Sequence, residues 1–438
     1  MAVKIGKWRG NRDGTGAAVE ERRRARRDLV QNMVITLLFL SAAALFTQTQ
    51  LYSLGIHKGA AALTGGGQTV SASAQTAVLV APVRVAVTGT YGRFGSVTMT
   101  TGMEAFADPL GRRLSEALGS ARSFVPCTEA EFMEALEGPS LYYDFLTALP
   151  LPVLGALVDG VEELDGTLSA RRLVIAAQED GTALYLWDGG GICCRALTAV
   201  SADSLTQTVS RYELGGAFFA QDREETADLL APCSLLPEEL PSLPVLIQGD
   251  PLADTGWLLS ALSFNPRTRT RYLESNGTEL ITDGDRALRI RPDQSVYYQS
   301  GRDPILKISA RGETPTLREA AVGTGALLNT VLTPVSGAAL PYLKSIRQNG
   351  AVTNLQFDYQ VGGVPIRFSG GGCAAEVTLT GTTVTSLILR FRQYTASEEQ
   401  SLLLPLPQAL AVAAREPGRE LTIGYVDGSD CAAHWLVD

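Results

Sequence analysis

The sequence predicts an α+β fold, in which antiparallel sheets pack against helices, behind one N-terminal transmembrane helix. An apolar run directly follows a block of arginines near the start of the chain. Further along, segments with alternating apolar and polar residues are joined by Asp-Gly, Asn-Gly and Gly-Gly turns and are interspersed with segments of helical periodicity. The 438 residues suffice for two or three extracytoplasmic domains.

The charge is unevenly distributed along the chain. The first 28 residues carry a net charge of +5, which leaves −14 for the remainder of a chain whose total is −9. An acidic body repels phosphates, so we predict no nucleic-acid partner. Residues 1–28 are predicted to form a basic cytoplasmic tail, because they precede the apolar run.

Residues 29–47 are predicted to form a transmembrane helix that acts as a signal-anchor. A helix over Leu29–Phe46 would be about 27 Å long, enough to cross the hydrocarbon core of a membrane. The arginines precede it and the next positive charge is Lys58, which predicts a single-pass protein of the cell membrane with a cytoplasmic N-terminus and an extracytoplasmic body. The apolar anchor residues are Leu29, Met33, Val34, Ile35, Leu37, Leu38, Phe39, Leu40 and Phe46.

Four small residues in this segment allow more than one interpretation. They permit close approach of a second helix, or they are simply apolar filler. They also fit the cleavage region of a signal peptide, so a cleaved signal is the alternative to an anchor. The residues are Ser41, Ala42, Ala43 and Ala44.

The remainder of the chain is predicted to be divided by a tether and by a proline-rich junction. Lys58–Thr76 consists almost entirely of Gly, Ala, Ser, Thr and Gln, which is typical of a flexible linker. Four prolines between Pro232 and Pro244 indicate a boundary. The predicted units are a tether (48–76), a first α+β domain (77–235), a small β-rich middle domain (236–310) and a C-terminal α+β domain (311–438).

Local signals predict the elements of the first domain. A helix is predicted to begin at Asp108-Pro109 and to bury Leu110, Leu114 and Ala117. Thr128 and Glu131 form a capping box for a second helix, and Ser201 begins a third. Asp180-Gly181 predicts a hairpin between two apolar segments.

The middle and C-terminal domains are predicted mainly from turns and alternation. Turns are expected at Asn276-Gly277 and Asp283-Gly284, with Leu288–Tyr298 as the following strand. Thr314 and Pro315 are expected to open a helix. Alternation then predicts a strand that buries Leu355, Phe357, Tyr359 and Val361, within the order helix, four strands, helix, two strands.

Three features of the chain resemble the YycH/YycI family of membrane-anchored regulators. They are the plan of basic tail, single helix and extracytoplasmic body, the segment Arg271–Tyr298, and Asn354–Tyr394 with the ending Tyr425–Val437 and its Trp435. The resemblance implies a non-enzymatic regulatory protein of a two-component system. Its implied partners are a cell-wall sensor histidine kinase and a related accessory protein. The family supplies no catalytic residues to carry over.

Catalytic and metal-binding patterns are scarce in the sequence. His57 and His434 are the two histidines, and no GxSxG, HExxH or P-loop occurs, so we predict no enzyme, metal or cofactor. One alternative is a tethered solute- or peptidoglycan-binding module, which requires a concave pocket with converging polar groups. Another is a cell-envelope hydrolase, which requires a carboxylate pair in a cleft; Glu162-Glu163 and Glu238-Glu239 are adjacent acids.

The cysteines fit two interpretations. They are either small buried side chains or, outside the cell, members of one or two disulfides of unassigned pairing. No CxxC or zinc-type spacing connects them. The six are Cys127, Cys193, Cys194, Cys233, Cys373 and Cys431.

Overall fold

The computed structural model of the chain describes residues 80–98, 104–157, 164–252, 254–302, 304–428 and 430–437. All of them belong to one compact unit, Thr69–Asp438. The predicted tail, the anchor at 29–47 with its small-residue stretch, and the tether lie outside the described residues. Within the described ranges, no helix combines the length and the apolar character that crossing a membrane requires.

The described residues form many short strands and a few helices, as the sequence predicts. The strands are β1 (Arg84–Gly89), β2 (Gly92–Ser96), β3 (Val125–Pro126), β4 (Ser140–Pro150), β5 (Ser169–Gln178), β6 (Gly181–Trp187), β7 (Cys193–Thr198), β8 (Ala217–Phe219), β9 (Leu235–Pro237), β10 (Pro244–Gly249), β11 (Thr270–Leu273), β12 (Glu279–Asp283), β13 (Arg286–Ile290), β14 (Ser295–Gln299), β15 (Leu340–Asn349), β16 (Val352–Val361), β17 (Val364–Phe368), β18 (Ala375–Thr380), β19 (Thr383–Arg390), β20 (Gln393–Gln400), β21 (Leu421–Asp427) and β22 (Ala433–Val437). The α-helices are α1 (Glu104–Ser120), α2 (Glu129–Glu134), α3 (Leu151–Leu154), α4 (Ala202–Val209), α5 (Glu224–Ala227), α6 (Gly256–Ala261), α7 (Leu317–Val331) and α8 (Leu406–Ala413).

The first sheet is antiparallel throughout and has the order β2-β1-β4-β5-β6-β7-β3. The predicted hairpin at Asp180-Gly181 is confirmed, because β5 and β6 pair up to Gln178 and Gly181. Helix α1 packs on this sheet and buries Leu114 and Ala117, as its periodicity predicts. This arrangement is the helix-on-sheet layering expected of an α+β fold.

The second sheet is larger and contains strands from both sides of residue 310. Its order is β11-β12-β13-β14-β19-β18-β16-β17-β21-β22, and β15 also pairs with β16. Strands β17 and β21 are parallel, whereas the other pairs are antiparallel. Strands β14 and β19 pair at Tyr298 and Leu387, so the predicted boundary at residue 310 does not interrupt this sheet.

The predicted alternation in β16 places its side chains correctly for the most part. Leu355, Phe357 and Tyr359 are buried in the core, whereas Val361 is only half-buried near the end of the strand. Gln356 lies on the opposite face and is exposed. A strand with one face in the core imposes this period of two.

Two predicted helix starts differ from the structure, and two, at Thr128 and Ser201, agree. Helix α1 begins at Glu104 and contains Pro109, so Asp108-Pro109 is not its start. Helix α7 is capped by Thr316, whose hydroxyl accepts from the backbone N–H of Glu319 at 3.2 Å, instead of beginning at Thr314. The capping box at Thr128 is confirmed. For α7, the reciprocal bond from the N–H of Thr316 to the Glu319 carboxylate fixes the cap one residue after the proline.

The predicted strand Leu288–Tyr298 is two strands, β13 and β14. Between them, the Asp293 carboxylate accepts the backbone N–H of Ser295 at 3.0 Å, and Gln294 has a φ of +63°. Pro292 has no N–H to offer to a ladder, so the chain turns there.

The C-terminal part also contains two strands that the sequence order omitted, β15 and β20. It therefore runs helix, six strands, helix, two strands.

Candidate functional site

A buried cluster of charged side chains joins the two sheets. Arg84 and Arg171 bind the Asp144 carboxylate at 2.9 and 3.1 Å. Arg171 also binds the carboxylate of Glu420 at 2.6 Å, and Arg172 binds the same carboxylate. Arg84, Asp144 and the two arginines lie on β1, β4 and β5, whereas Glu420 directly precedes β21. The cluster therefore links the first sheet to the second.

The carboxylate of Asp144 is held in its ionised state. Burial by itself would raise the pKa of Asp144, but the guanidinium groups of Arg171 and Arg84 hold that pKa well below its usual range. Arg172 also stacks on the Trp187 ring, with 4.9 Å between the guanidinium carbon and the ring centroid. A carboxylate held this firmly in its charged form is suited to holding structure together and unsuited to transferring protons.

A wide groove lies beside β11, at one end of the second sheet. Its volume is about 500 Å³. We call it the β11 groove, and its lining residues are Arg271, Tyr272, Leu273, Gly277, Glu279, Ile290, Arg291 and Pro292.

Strand β11 is an exposed edge strand. All four of its residues are exposed, including Tyr272 at 57% and Leu273 at 79%. Strand β12 pairs with one edge of β11, and within the described ranges no strand pairs with the other. Arg271 is held by Glu279 at 2.9 Å. An uncovered edge that carries large apolar side chains is suited to pairing with an added strand.

A second groove lies at the opposite end of the same sheet, beside the edge strand β22. It encloses about 140 Å³ and is mostly apolar. Leu402 above it is 92% exposed, and the indole N–H of Trp435 donates to the carbonyl of Leu404 at 2.8 Å. We call it the β22 groove, and its lining residues are Leu402, Leu404, Ala409, Val412, Leu421, His434, Trp435 and Val437.

The acidic residues do not converge in either groove. Glu279 is the one carboxylate among the residues that line the β11 groove, and it is paired with Arg271. The residues that line the β22 groove include no carboxylate. Glu238 lies on the surface, where it binds Arg223 at 3.3 Å, and Glu239 beside it is also exposed. Glu162-Glu163 lies outside the described residues, as does His57. Among the described residues, no group of three His, Cys, Asp or Glu side chains is arranged to hold a metal.

One carboxylate with a raised pKa lies elsewhere, on the face of β16 that points away from the core. Burial raises the pKa of Asp358, and Lys344 at 2.8 Å counteracts this only in part. The alternation of apolar and polar residues in β16 predicts that Asp358 faces outward into solvent. No feature of the sequence indicates that its carboxylate is buried. It lines neither groove.

The comparisons with known proteins concern the fold. No family model matches the chain, and no curated protein matches it. Among solved structures, the crystal structure of YycH from Bacillus subtilis aligns with 84% of this chain and 95% of its own, with 11% identity and a TM-score of 0.54. The chain has a YycH-like fold. At this identity the match concerns the arrangement of sheets and helices.

Two of the segments that carry the sequence resemblance occupy the two ends of the large sheet, whereas Asn354–Tyr394 forms its middle strands. Arg271–Tyr298 forms β11 to β14, and Tyr425–Val437 forms the end of β21 and all of β22. Each of these two segments contributes to one of the two grooves, with Tyr272 in the first and Trp435 in the second. The sequence therefore pointed to the relevant strands but not to their position at free edges.

Proposed function

We propose that the chain is a non-enzymatic regulator related to the YycH/YycI proteins. In this proposal residues 29–47 anchor it in the cell membrane with the N-terminus in the cytoplasm. The extracytoplasmic body contacts a cell-wall sensor histidine kinase, together with a related accessory protein. The observation that carries the proposal is the YycH-like fold over 84% of the chain. The resemblance of Arg271–Tyr298 and Tyr425–Val437 supports it.

We assign the kinase contact to the outer edge of β11. An extended segment of the kinase would pair with the backbone of β11, while Tyr272 and Leu273 contact its side chains. Main-chain hydrogen bonds supply the affinity in such strand addition, and the side-chain contacts supply the specificity. A difference of about 1–3 kcal/mol between the contacts made with two states of the kinase changes its output several-fold or more.

A photo-crosslinking amino acid introduced into the full-length chain in intact cells tests this contact. Introduced at Leu273, it is expected to capture the kinase. Introduced at Leu197, another exposed apolar position, on β7 at 60% exposure, it is expected to capture none. Capture of the kinase from Leu197 alone, or from neither position, would contradict the assignment to β11.

The membrane anchor has its own test. Replacing Leu29–Phe46 with an unrelated apolar helix of equal length is expected to change kinase output, because helix packing in lipid depends on which small residues meet. Releasing the body from the membrane is expected to weaken the effect further, because a short tether gives effective concentrations of about a millimolar. A reporter for cell-wall stress genes is compared in intact, helix-swapped, anchor-free and deleted strains. Equal output from all four would refute the regulatory proposal.

The tethered binding module is the second candidate, and the β22 groove favours it. The groove is apolar and offers the exposed ring of His434 as a polar group. Binding of a cell-wall fragment to the purified chain, lost on Val412→Asp at the groove, would support this candidate over the regulator. The hydrolase alternative requires paired carboxylates in a cleft, which neither groove provides.

A further inference from the structure

Cys127 and Cys193 lie opposite each other on neighbouring strands. Strand β3 pairs with β7 so that Pro126 faces Cys194, and Cys127 continues the ladder by one residue. The backbone N–H of Cys127 donates to the carbonyl of Cys193 at 3.0 Å. The two sulfur atoms are 3.1 Å apart. The pair is therefore set in register by the backbone as well as close at the sulfurs.

This geometry is close to that of a disulfide. Hydrogen-bonded partners in an antiparallel ladder have Cα atoms about 5.5 Å apart, inside the range of about 4.4–6.8 Å that a disulfide bridges. The sulfurs would need to approach by about 1 Å to reach a bonding distance of about 2.05 Å. No strand needs to change its register for that approach.

We propose that Cys127 and Cys193 are a disulfide-forming pair. The oxidant is a disulfide-bearing molecule, either a thiol oxidoreductase or a small disulfide such as oxidised glutathione. The Cys127 thiolate attacks the incoming disulfide and forms a mixed disulfide, releasing one thiol. The Cys193 thiolate then attacks the Cys127 sulfur and releases the second. The chain loses two protons and two electrons, and the oxidant becomes two thiols.

The surroundings of the two thiols determine the order of attack. Cys127 is half-buried, whereas Cys193 is buried, so an incoming oxidant reaches Cys127 first. Burial raises the pKa of both thiols, so the reactive thiolates are scarce at neutral pH and uncatalysed oxidation of the folded chain is slow.

The bond would secure a weakly held part of the first sheet. Strand β3 has two residues, both exposed, and it lies at the outer edge beside β7. Thr128, which caps α2, follows Cys127 directly. A covalent link at Cys127 would therefore hold the edge strand and the start of α2 against β7. This role is independent of the proposed kinase contact.

The test uses the purified full-length chain, incubated to equilibrium either with oxidised glutathione and a catalytic thiol oxidoreductase or with a reducing agent, and then digested for mass spectrometry. Free thiols are alkylated before digestion. The matched control is Cys194→Ser, because Cys194 is adjacent in sequence but points to the opposite face of β7. In that variant a link to the 193–194 peptide can come from Cys193 alone.

We expect a peptide linked through Cys127 and Cys193 in the oxidised wild-type chain and in Cys194→Ser. Oxidation should raise the thermal midpoint of both by several degrees and leave that of Cys127→Ser unchanged. Recovery of both cysteines fully alkylated after oxidation would overturn the proposal. So would a link that disappears in Cys194→Ser. The maps of the wild-type chain and of Cys194→Ser decide the question even where Cys127→Ser does not fold.

Discussion

Glu420 is the residue whose loss tests how the two sheets are held together. Its carboxylate binds Arg171 at 2.6 Å and is the acidic partner of Arg172, whose side chain is 1% exposed. Glu420→Gln keeps the shape of the side chain and removes its charge. Arg171 would keep Asp144 as a partner at 3.1 Å, but Arg172 would lose its carboxylate.

The size of the effect follows from the burial of Arg172. Its remaining contacts are the Pro232 carbonyl at 3.4 Å and the Trp187 ring, and its Nε already has no hydrogen-bond partner. Removing one member of a buried ion pair typically costs about 3–5 kcal/mol, because the other charge stays buried without compensation. We therefore expect Glu420→Gln to lower the free energy of unfolding by about this amount.

Urea unfolding of the full-length chain, followed by tryptophan fluorescence, measures this change. Trp187 reports on the cluster directly, because its ring contacts Arg172. The matched control is Glu416→Gln, which removes a surface pair with Arg419 whose side chains are 64% and 57% exposed, and it should cost at most about 1 kcal/mol. Equal losses of stability in the two variants would refute the reasoning.

Three further predictions concern stability. Phe357→Ala should cost about 3–5 kcal/mol in urea unfolding, because the ring is fully buried, whereas Gln356→Ala on the exposed face should change stability by less than about 0.5 kcal/mol. The pKa of Asp144 lies below its usual 3.8, so its contribution is complete above about pH 4 and is lost as the pH falls through the lower folded-state pKa. Wild-type protein should thus lose more stability between pH 5 and pH 3 than Asp144→Asn, and parallel pH curves would contradict this. Thr316→Ala should cost about 1 kcal/mol through loss of the α7 cap, and an unchanged urea midpoint would argue against the capping box.

The parts of the fold that the sequence predicted correctly depend on residues close together in the chain. The capping box at Thr128 needs a partner three residues away, and the hairpin at Asp180-Gly181 needs only its own turn. The alternation around Phe357 follows from one face of a strand being buried. Each signal acts within one helical turn or one strand, so it can be recognised without knowing what packs against it.

One element, β20, escaped prediction because it depends on a neighbour distant in sequence. Strand β20 is polar and mostly exposed, and its pairing partner β10 lies in the predicted middle domain, far away in the sequence. A pattern of apolar residues does not indicate such a strand, because the hydrogen bonds to β10 hold it and burial contributes little. The prediction of a single strand over Leu288–Tyr298 was wrong for a local reason. The apolar residues on both sides of Pro292 continue the strand pattern, although the chain turns between β13 and β14.

The amino-acid sequence by itself determined the α+β class, the hairpin at Asp180-Gly181, the caps at Thr128 and Ser201, and the inward face of β16. Only the tertiary structure decided which charges and thiols meet. Arg172 and Glu420 are 248 residues apart, and Cys127 and Cys193 are 66 apart. An arginine or a cysteine has the same local signature whether it is exposed or paired. Its role is set by the partner that sheet pairing brings to it, because a buried charge or polar group is stable only when that partner is present.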